Sequence, residues 1–168
     1  MVVSGPGGPA SLPVLAPESR ETGRQAKQSE MTRLFPDSPF VVLHHFFPNP
    51  DSVAEHRDLM IRDPHVAAGT HPLATWRIPD WPPPESQSAL RIVNHRDHYL
   101  DYEGPLGQGR GEVRRDCRGV CQWLNCDPRT WHVRLIPDEA PGFLEIRLTC
   151  QDHHESPDCW QMECRMEA

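Results

Sequence analysis

The chain reads as a mainly β protein: a compact β-barrel of about eight strands with few or short helices, preceded by a disordered N-terminal arm. Three observations carry that reading. From Phe40 onward, short apolar runs alternate with Pro, Gly and Asp, the pattern of strands joined by turns. No convincing long helical period interrupts them. Before Phe40 the composition differs, being rich in Gly, Pro, Ser and charge with almost no periodic apolar content.

The elements follow in order. Residues 1–38 form the arm, and residues 39–168 the barrel domain. Candidate strands are Phe40–His45, His56–Arg62, Ala74–Ile78, Ala89–His95, Gly111–Arg115, Gly119–Leu124, Thr130–Ile136, Phe143–Thr149 and Trp160–Arg165. Pro82, Pro83 and Pro84 break the chain between two of these, and no internal repeat is visible. Many short strands with no long helix point to a barrel or a strongly curved sheet.

A chain of 168 residues makes one domain with a core large enough to need no staples. The hydrophobic fraction of 37% is low and the count of 19 prolines high, in keeping with an unpacked arm. No run approaches the ~18 apolar residues of a membrane-spanning helix. Met1 to Leu15 lacks the basic and apolar regions of a secretory signal. A soluble, cytoplasmic protein with no membrane partner is expected.

The net charge of −7 argues at first against a nucleic-acid partner. The acidic excess lies beyond Pro137, however, and the stretch from Phe40 to Ile136 is close to neutral. Lys27 is the only lysine, so the positive charge of that stretch is all guanidinium, which suits bidentate phosphate contacts. Cys117, Cys121, Cys126, Cys150, Cys159 and Cys164 form no C-x-x-C knuckle, so they read as reduced, partly buried side chains rather than a zinc site.

Chemistry concentrates in three stretches. These are Phe40-Val41-Val42-Leu43-His44-His45, the triplet His56-Arg57-Asp58, and His95-Arg96-Asp97-His98-Tyr99. A His-x-Asp triplet flanked by separate histidines is the ligand inventory of a mononuclear transition-metal site. Alternate side chains of a strand share a face, so His56, Asp58 and Met60 point one way. His44 and His45 face oppositely, and at most one of them joins the site. On the fourth candidate strand His95 is expected to share a face with Val93 and Arg91.

The region from Phe40 to about Arg165 resembles the 3′-phosphoesterase module of bacterial DNA ligase D, in particular its stand-alone members. The opening strand ending in His45 looks like that family's metal-binding strand, and His56-Arg57-Asp58 corresponds to its His-x-Asp. Trp76-Arg77-Ile78-Pro79 resembles its Trp-x-Val-Pro, and His95 to Gly104 resembles its His-Pro-Leu-Asp-Tyr and Phe-Glu-Gly stretch. The turn Gly107-Gln108-Gly109-Arg110-Gly111 then precedes a strand, as in the family.

The resemblance implies a compact barrel whose groove holds a divalent transition metal, manganese in kind. It also implies an activity in DNA end repair: removal of a 3′-ribonucleoside and then a 3′-phosphate from DNA 3′ ends at a primer-template, beside a separate ligase or polymerase. By the same resemblance His45, His56 and Asp58 ligate the metal, and His95 and Tyr99 contact the scissile phosphate. Two family arginines are replaced, one by Met60 and one, counted without a gap, by Gln87. Arg77, Arg91 and Arg110 are the candidates to bind phosphate in their place. Each lost donor of this kind typically costs on the order of 10²–10³-fold in rate.

Two other readings stand beside this one. His56 and Asp58 with a distant His95 also fit the 2-His-1-carboxylate triad of a cupin-type non-haem iron oxygenase. Against that, no arginine follows His95 at the distance expected for a 2-oxo-acid clamp, and His45 has no role in it. The losses at Met60 and Gln87 favour instead a non-catalytic module that binds metal or DNA ends.

The remaining residues have plainer readings. His44, His65, His71, His98, His132, His153 and His154 read as surface, loop or packing residues. Asp101, Glu103 and Gly104 shape a turn. Trp76, Trp123, Trp131 and Trp160 read as core aromatics, and the acidic C-terminal segment as a solvated face.

Overall fold

A computed structural model of the chain describes residues 1, 35–47, 55–67, 69–151 and 158–167. The arm, up to residue 34, and the pair His153-His154 lie outside the described residues beyond Met1. The rest is one antiparallel sheet of nine strands: β1 (Ser38–Phe46), β2 (His56–Arg62), β3 (Leu73–Ile78), β4 (Ser86–His95), β5 (Gly104–Pro105), β6 (Glu112–Asp127), β7 (Thr130–Pro137), β8 (Phe143–Cys150) and β9 (Cys159–Glu167). The order is β1-β2-β3-β4-β9-β8-β7-β6, and β6 pairs back onto β1, so eight strands form a closed ring with β5 appended to β6. Closure leaves the ring without exposed edges, and alternate side chains fill its interior.

That interior is the main core. Phe40, Val42, Leu59, Ile61, Trp76, Ile78, Val133, Leu135, Ile146, Leu148 and Met162 pack within it. Trp76 meets Trp131 and Trp160 edge-on at 4.7 and 5.8 Å, and Trp123 meets Trp131 at 5.1 Å, the geometry favoured by aromatic quadrupoles. Trp123 Nε1 donates to Ser38 Oγ at 3.0 Å, giving the buried indole its partner. Phe35, ahead of the expected domain start at residue 39, also packs on this core.

A second, smaller cluster lies on the other face of β1, β2 and β3. Val41, Leu43, Met60, Leu73 and Val113 are buried there, covered by Tyr99, Leu100, Tyr102 and Leu106. The covering segment starts with a single 3-10 turn, Asp97–Leu100, the one helical element among the described residues. Arg62 Nη2 ties that turn to β2 by donating to Asp97 Oδ1 at 2.6 Å.

Two expectations are corrected by β-bulges. The candidate strands Gly111–Arg115 and Gly119–Leu124 are one long strand, β6. Against β1, Leu43 pairs with Arg115 but Val42 pairs with Cys117, so Asp116 is the extra residue. A bulge reverses which parity faces inward, so the apolar alternation stops and restarts, and one strand reads as two. In the same way, Leu73 and Thr75 of β3 oppose His95 and Ile92 of β4, so four residues of β4 lie against three of β3. His95 therefore shares a face with Ile92, not with Arg91 and Val93 as strict alternation predicts.

Candidate metal centre and adjoining groove

Pairing between β1 and β2 places His45 directly opposite His56, and Leu43 opposite Asp58. His45, His56 and Asp58 thereby come together on the outer face of the ring, their ligand atoms all within 4.8 Å of one another. The rings of His45 and His56 meet edge-on at 5.0 Å, and His56 Nε2 lies 3.8 Å from Asp58 Oδ2. His56 and Asp58 are each only 6% exposed. Alternation correctly selects His45 over His44. His44 points the other way, its ring tilted against Phe46 at 3.8 Å and its Nε2 3.3 Å from Glu55.

The donor set suits a divalent ion, and its surroundings orient it. His45 Nε2 lies 2.6 Å from the Arg110 carbonyl, which can only accept, so Nε2 carries the proton and the lone pair of the neutral ring is on Nδ1. Arg77 Nε donates to Asp58 Oδ1 at 3.3 Å, while Oδ2 is turned to His56. A backbone carbonyl on a histidine and a guanidinium on a carboxylate are the partners that fix the tautomer and direction of metal ligands. The His45-His56-Asp58 group can therefore hold a metal ion.

The glycine-rich turn delivers that carbonyl. Arg110 N donates to Gly107 O and Leu106 N to Gly111 O, at 3.0 and 2.9 Å, closing the turn. Gly111 has φ +83°, and a Cβ there would collide with the Phe46 carbonyl. Glycine alone satisfies both demands at this position.

His95 lies at the end of β4 on the same outer face as Leu73 and Thr75. The Thr75 hydroxyl donates its single proton to Leu73 O at 3.0 Å, so it accepts from His95 Nδ1 at 2.9 Å. A ring N–H of His95 also reaches the Val93 carbonyl. Burial holds the pKa of His95 below the usual histidine value, with Asp58 acting in the opposite direction. Tyr99 stands edge-on to His95 at 5.3 Å. Both line an open groove of about 580 Å³ that also takes in Arg110.

The three arginines differ. Arg77 is anchored on Asp58 with its side chain 38% exposed, beside the ligand cluster. Arg110 is exposed and lines the groove, its Nη2 donating to Leu106 O at 2.7 Å. Arg91 is corrected: its guanidinium lies over Trp76 at 4.8 Å and donates to Thr75 O, Ile92 O and Asn94 Oδ1. It braces the bulge of β4 and does not share His95's face.

Met60 is a packing residue, 1% exposed in the outer cluster. Gln87 is buried too, bonding Asp80 through both ends of its amide and touching Met162 of the main core. A side chain at position 87 thus points into the ring, away from the ligand cluster.

Sequence reasoning missed Thr75 and the Arg110 carbonyl. Thr75 was legible as the residue sharing Arg77's face one alternation step away. The carbonyl was signalled only by the glycines around it. Among the described residues no helix is long and apolar enough to cross a membrane. Comparison with protein-family models finds no match for this chain, and comparison with curated proteins finds none either.

Proposed function

We propose that the protein is a manganese-dependent phosphoesterase acting on the 3′ ends of DNA in end repair, beside a separate ligase or polymerase. The observation that carries this reading is the joining of two things on one face: the His45-His56-Asp58 cluster and a groove lined by His95, Tyr99 and Arg110. A bound divalent ion would polarise a phosphoryl oxygen and lower the pKa of its water. His45 and Asp58 are held ready by Arg110 O and Arg77. His95, whose pKa burial lowers, takes a proton from solvent when an anionic phosphate arrives, and then donates it to that phosphate or to the leaving oxygen. The Tyr99 hydroxyl is a second donor to the same group, and Arg77 and Arg110 supply the cations nearest the site.

The ligand set alone suits iron as well as manganese; the basic, aromatic groove favours a phosphate ester. The buried Met60 supports a second reading, a module that binds metal or DNA ends without catalysis. A manganese-supplemented assay on a primer-template ending in one 3′-ribonucleotide decides between them. Product is expected from the native chain and not from Asp58→Asn. Absence of product at high protein concentration, with manganese demonstrably bound, overturns the enzymatic reading.

A further inference from the structure

The groove beside the ligand cluster is unusual for so acidic a chain. The net charge is −7, yet no Asp or Glu among the described residues lines it. It is lined instead by bases and rings, among them His71, Arg96, His98, Tyr102 and Arg110. The local sequence Arg96-Asp97-His98-Tyr99-Leu100-Asp101-Tyr102-Glu103 holds three carboxylates, and each is drawn off to an arginine elsewhere. Asp97 binds Arg62 at 2.6 Å, Asp101 lies 3.7 Å from Arg118, and Glu103 accepts from the Arg115 backbone and lies 3.4 Å from its guanidinium. The segment is thus sorted, acids outward to other strands and bases toward the groove.

The apolar part is sorted too. Val93, pushed out by the β4 bulge, is 81% exposed on the groove wall. His98 lies tilted against Tyr99 at 4.2 Å and stands edge-on to Tyr102 at 6.0 Å. Tyr102 is fixed by its hydroxyl donating to Pro105 O at 2.5 Å. Arg96 is exposed, its Nε donating to His71 Nε2 at 3.3 Å. Guanidinium groups interleaved with fixed rings are what a flexible single strand requires, with charge for its phosphates and flat faces for its bases.

We infer that this groove is the track of a single-stranded nucleic-acid segment leading to the ligand cluster, with Arg96 and Arg110 on its phosphates and Val93, His98 and Tyr102 against its bases. The inference rests on the proposed function only for the direction of the strand, its 3′ end at the cluster. Binding itself needs no metal.

The test is fluorescence anisotropy with a 5′-labelled single-stranded DNA 12-mer and the full chain in EDTA. Arg96→Glu and Val93→Glu both alter exposed residues, so folding survives, as their melting curves will show. Each is expected to weaken binding at least about tenfold, and Arg96→Glu also to flatten the salt dependence by about one phosphate contact. Arg147→Glu makes the same charge change at an exposed site on β8 and is expected to stay within about twofold of the native chain. Equal weakening by Arg147→Glu, or native binding by Arg96→Glu, overturns the track. So does an acidic peptide of the same length that binds as tightly as the DNA. Groove-dependent binding without hydrolysis in the manganese assay would sink the enzymatic reading and leave the track standing. Hydrolysis with binding indifferent to Arg96 and Val93 would do the reverse.

Discussion

Replacing Met60 by arginine tests whether that position belongs to the site or to the core. By resemblance an arginine belongs there, and Met60→Arg would restore a phosphate donor. The packing predicts the opposite. Met60 is 1% exposed among Val41, Leu43, Leu73 and Val113. Burying a methionine side chain contributes about 1.5–3 kcal/mol, which the substitution forfeits. A guanidinium left in that cluster adds a desolvation penalty of several kcal/mol. The nearest carboxylate on the same face, Asp58, already bonds Arg77. A loss of about 4 kcal/mol or more is therefore expected, a large part of the ~5–15 kcal/mol of a typical domain. Urea unfolding followed by tryptophan fluorescence measures it directly, since Trp76, Trp123, Trp131 and Trp160 lie in the main core. With a typical urea slope of ~1–3 kcal/mol per molar, the midpoint should fall by about 2 M. Met60→Leu, which nearly conserves volume, should cost under about 1.5 kcal/mol. If Met60→Arg unfolds within about 1 kcal/mol of the native chain, its head reaches the groove and the packing argument fails.

Two further outcomes follow from the same geometry. Gly111→Ala forces a Cβ against the Phe46 carbonyl at φ +83° and so displaces the Arg110 carbonyl from His45. Manganese affinity measured by calorimetry should drop about 10- to 100-fold, as for lost orienting partners generally; unchanged affinity would show that the carbonyl does not orient His45. The half-buried His95 gives a pH signature whose sign is fixed by its depressed folded pKa. Below the unfolded value near 6.5 the unfolded chain binds the proton more readily, so His95's contribution is complete above that pH and is lost as pH falls toward the folded value. His95→Gln should flatten the fall in urea midpoint between about pH 7.5 and 5, and an identical fall in both proteins would refute the assignment to His95.

Much of the candidate site was readable from local pattern. His56 and Asp58 share a face because they are two residues apart on a strand, and His44 and His45 cannot both join them. These statements need only the alternation of an extended chain. Class was equally legible, since short apolar runs between turn residues leave little choice but strands. The opposition of His45 to His56 was not legible, because register is a property of two strands and not of either one.

Bulges account for the errors. One extra residue at Asp116 merges two expected strands into one, and the bulge before His95 sends Arg91 to Trp76 instead of toward the groove. Nothing in composition marks a bulge, since it costs a ladder bond in one place and is settled by what packs on both sides of the sheet. Burial of Met60 has the same origin: a methionine suits a groove or a core, and the segment 99–106 folding over it settles which. The sorting of Asp97, Asp101 and Glu103 toward Arg62, Arg118 and Arg115 likewise requires strands distant in the chain to be neighbours in space. The strand class and the His-x-Asp face of β2 were thus written in neighbouring residues, where side-chain alternation is a local constraint. The three-residue ligand cluster and the groove beside it, free of acids among the described residues, exist because the closed sheet brings β1, β2, β3 and β4 together, a long-range pairing that no single segment encodes.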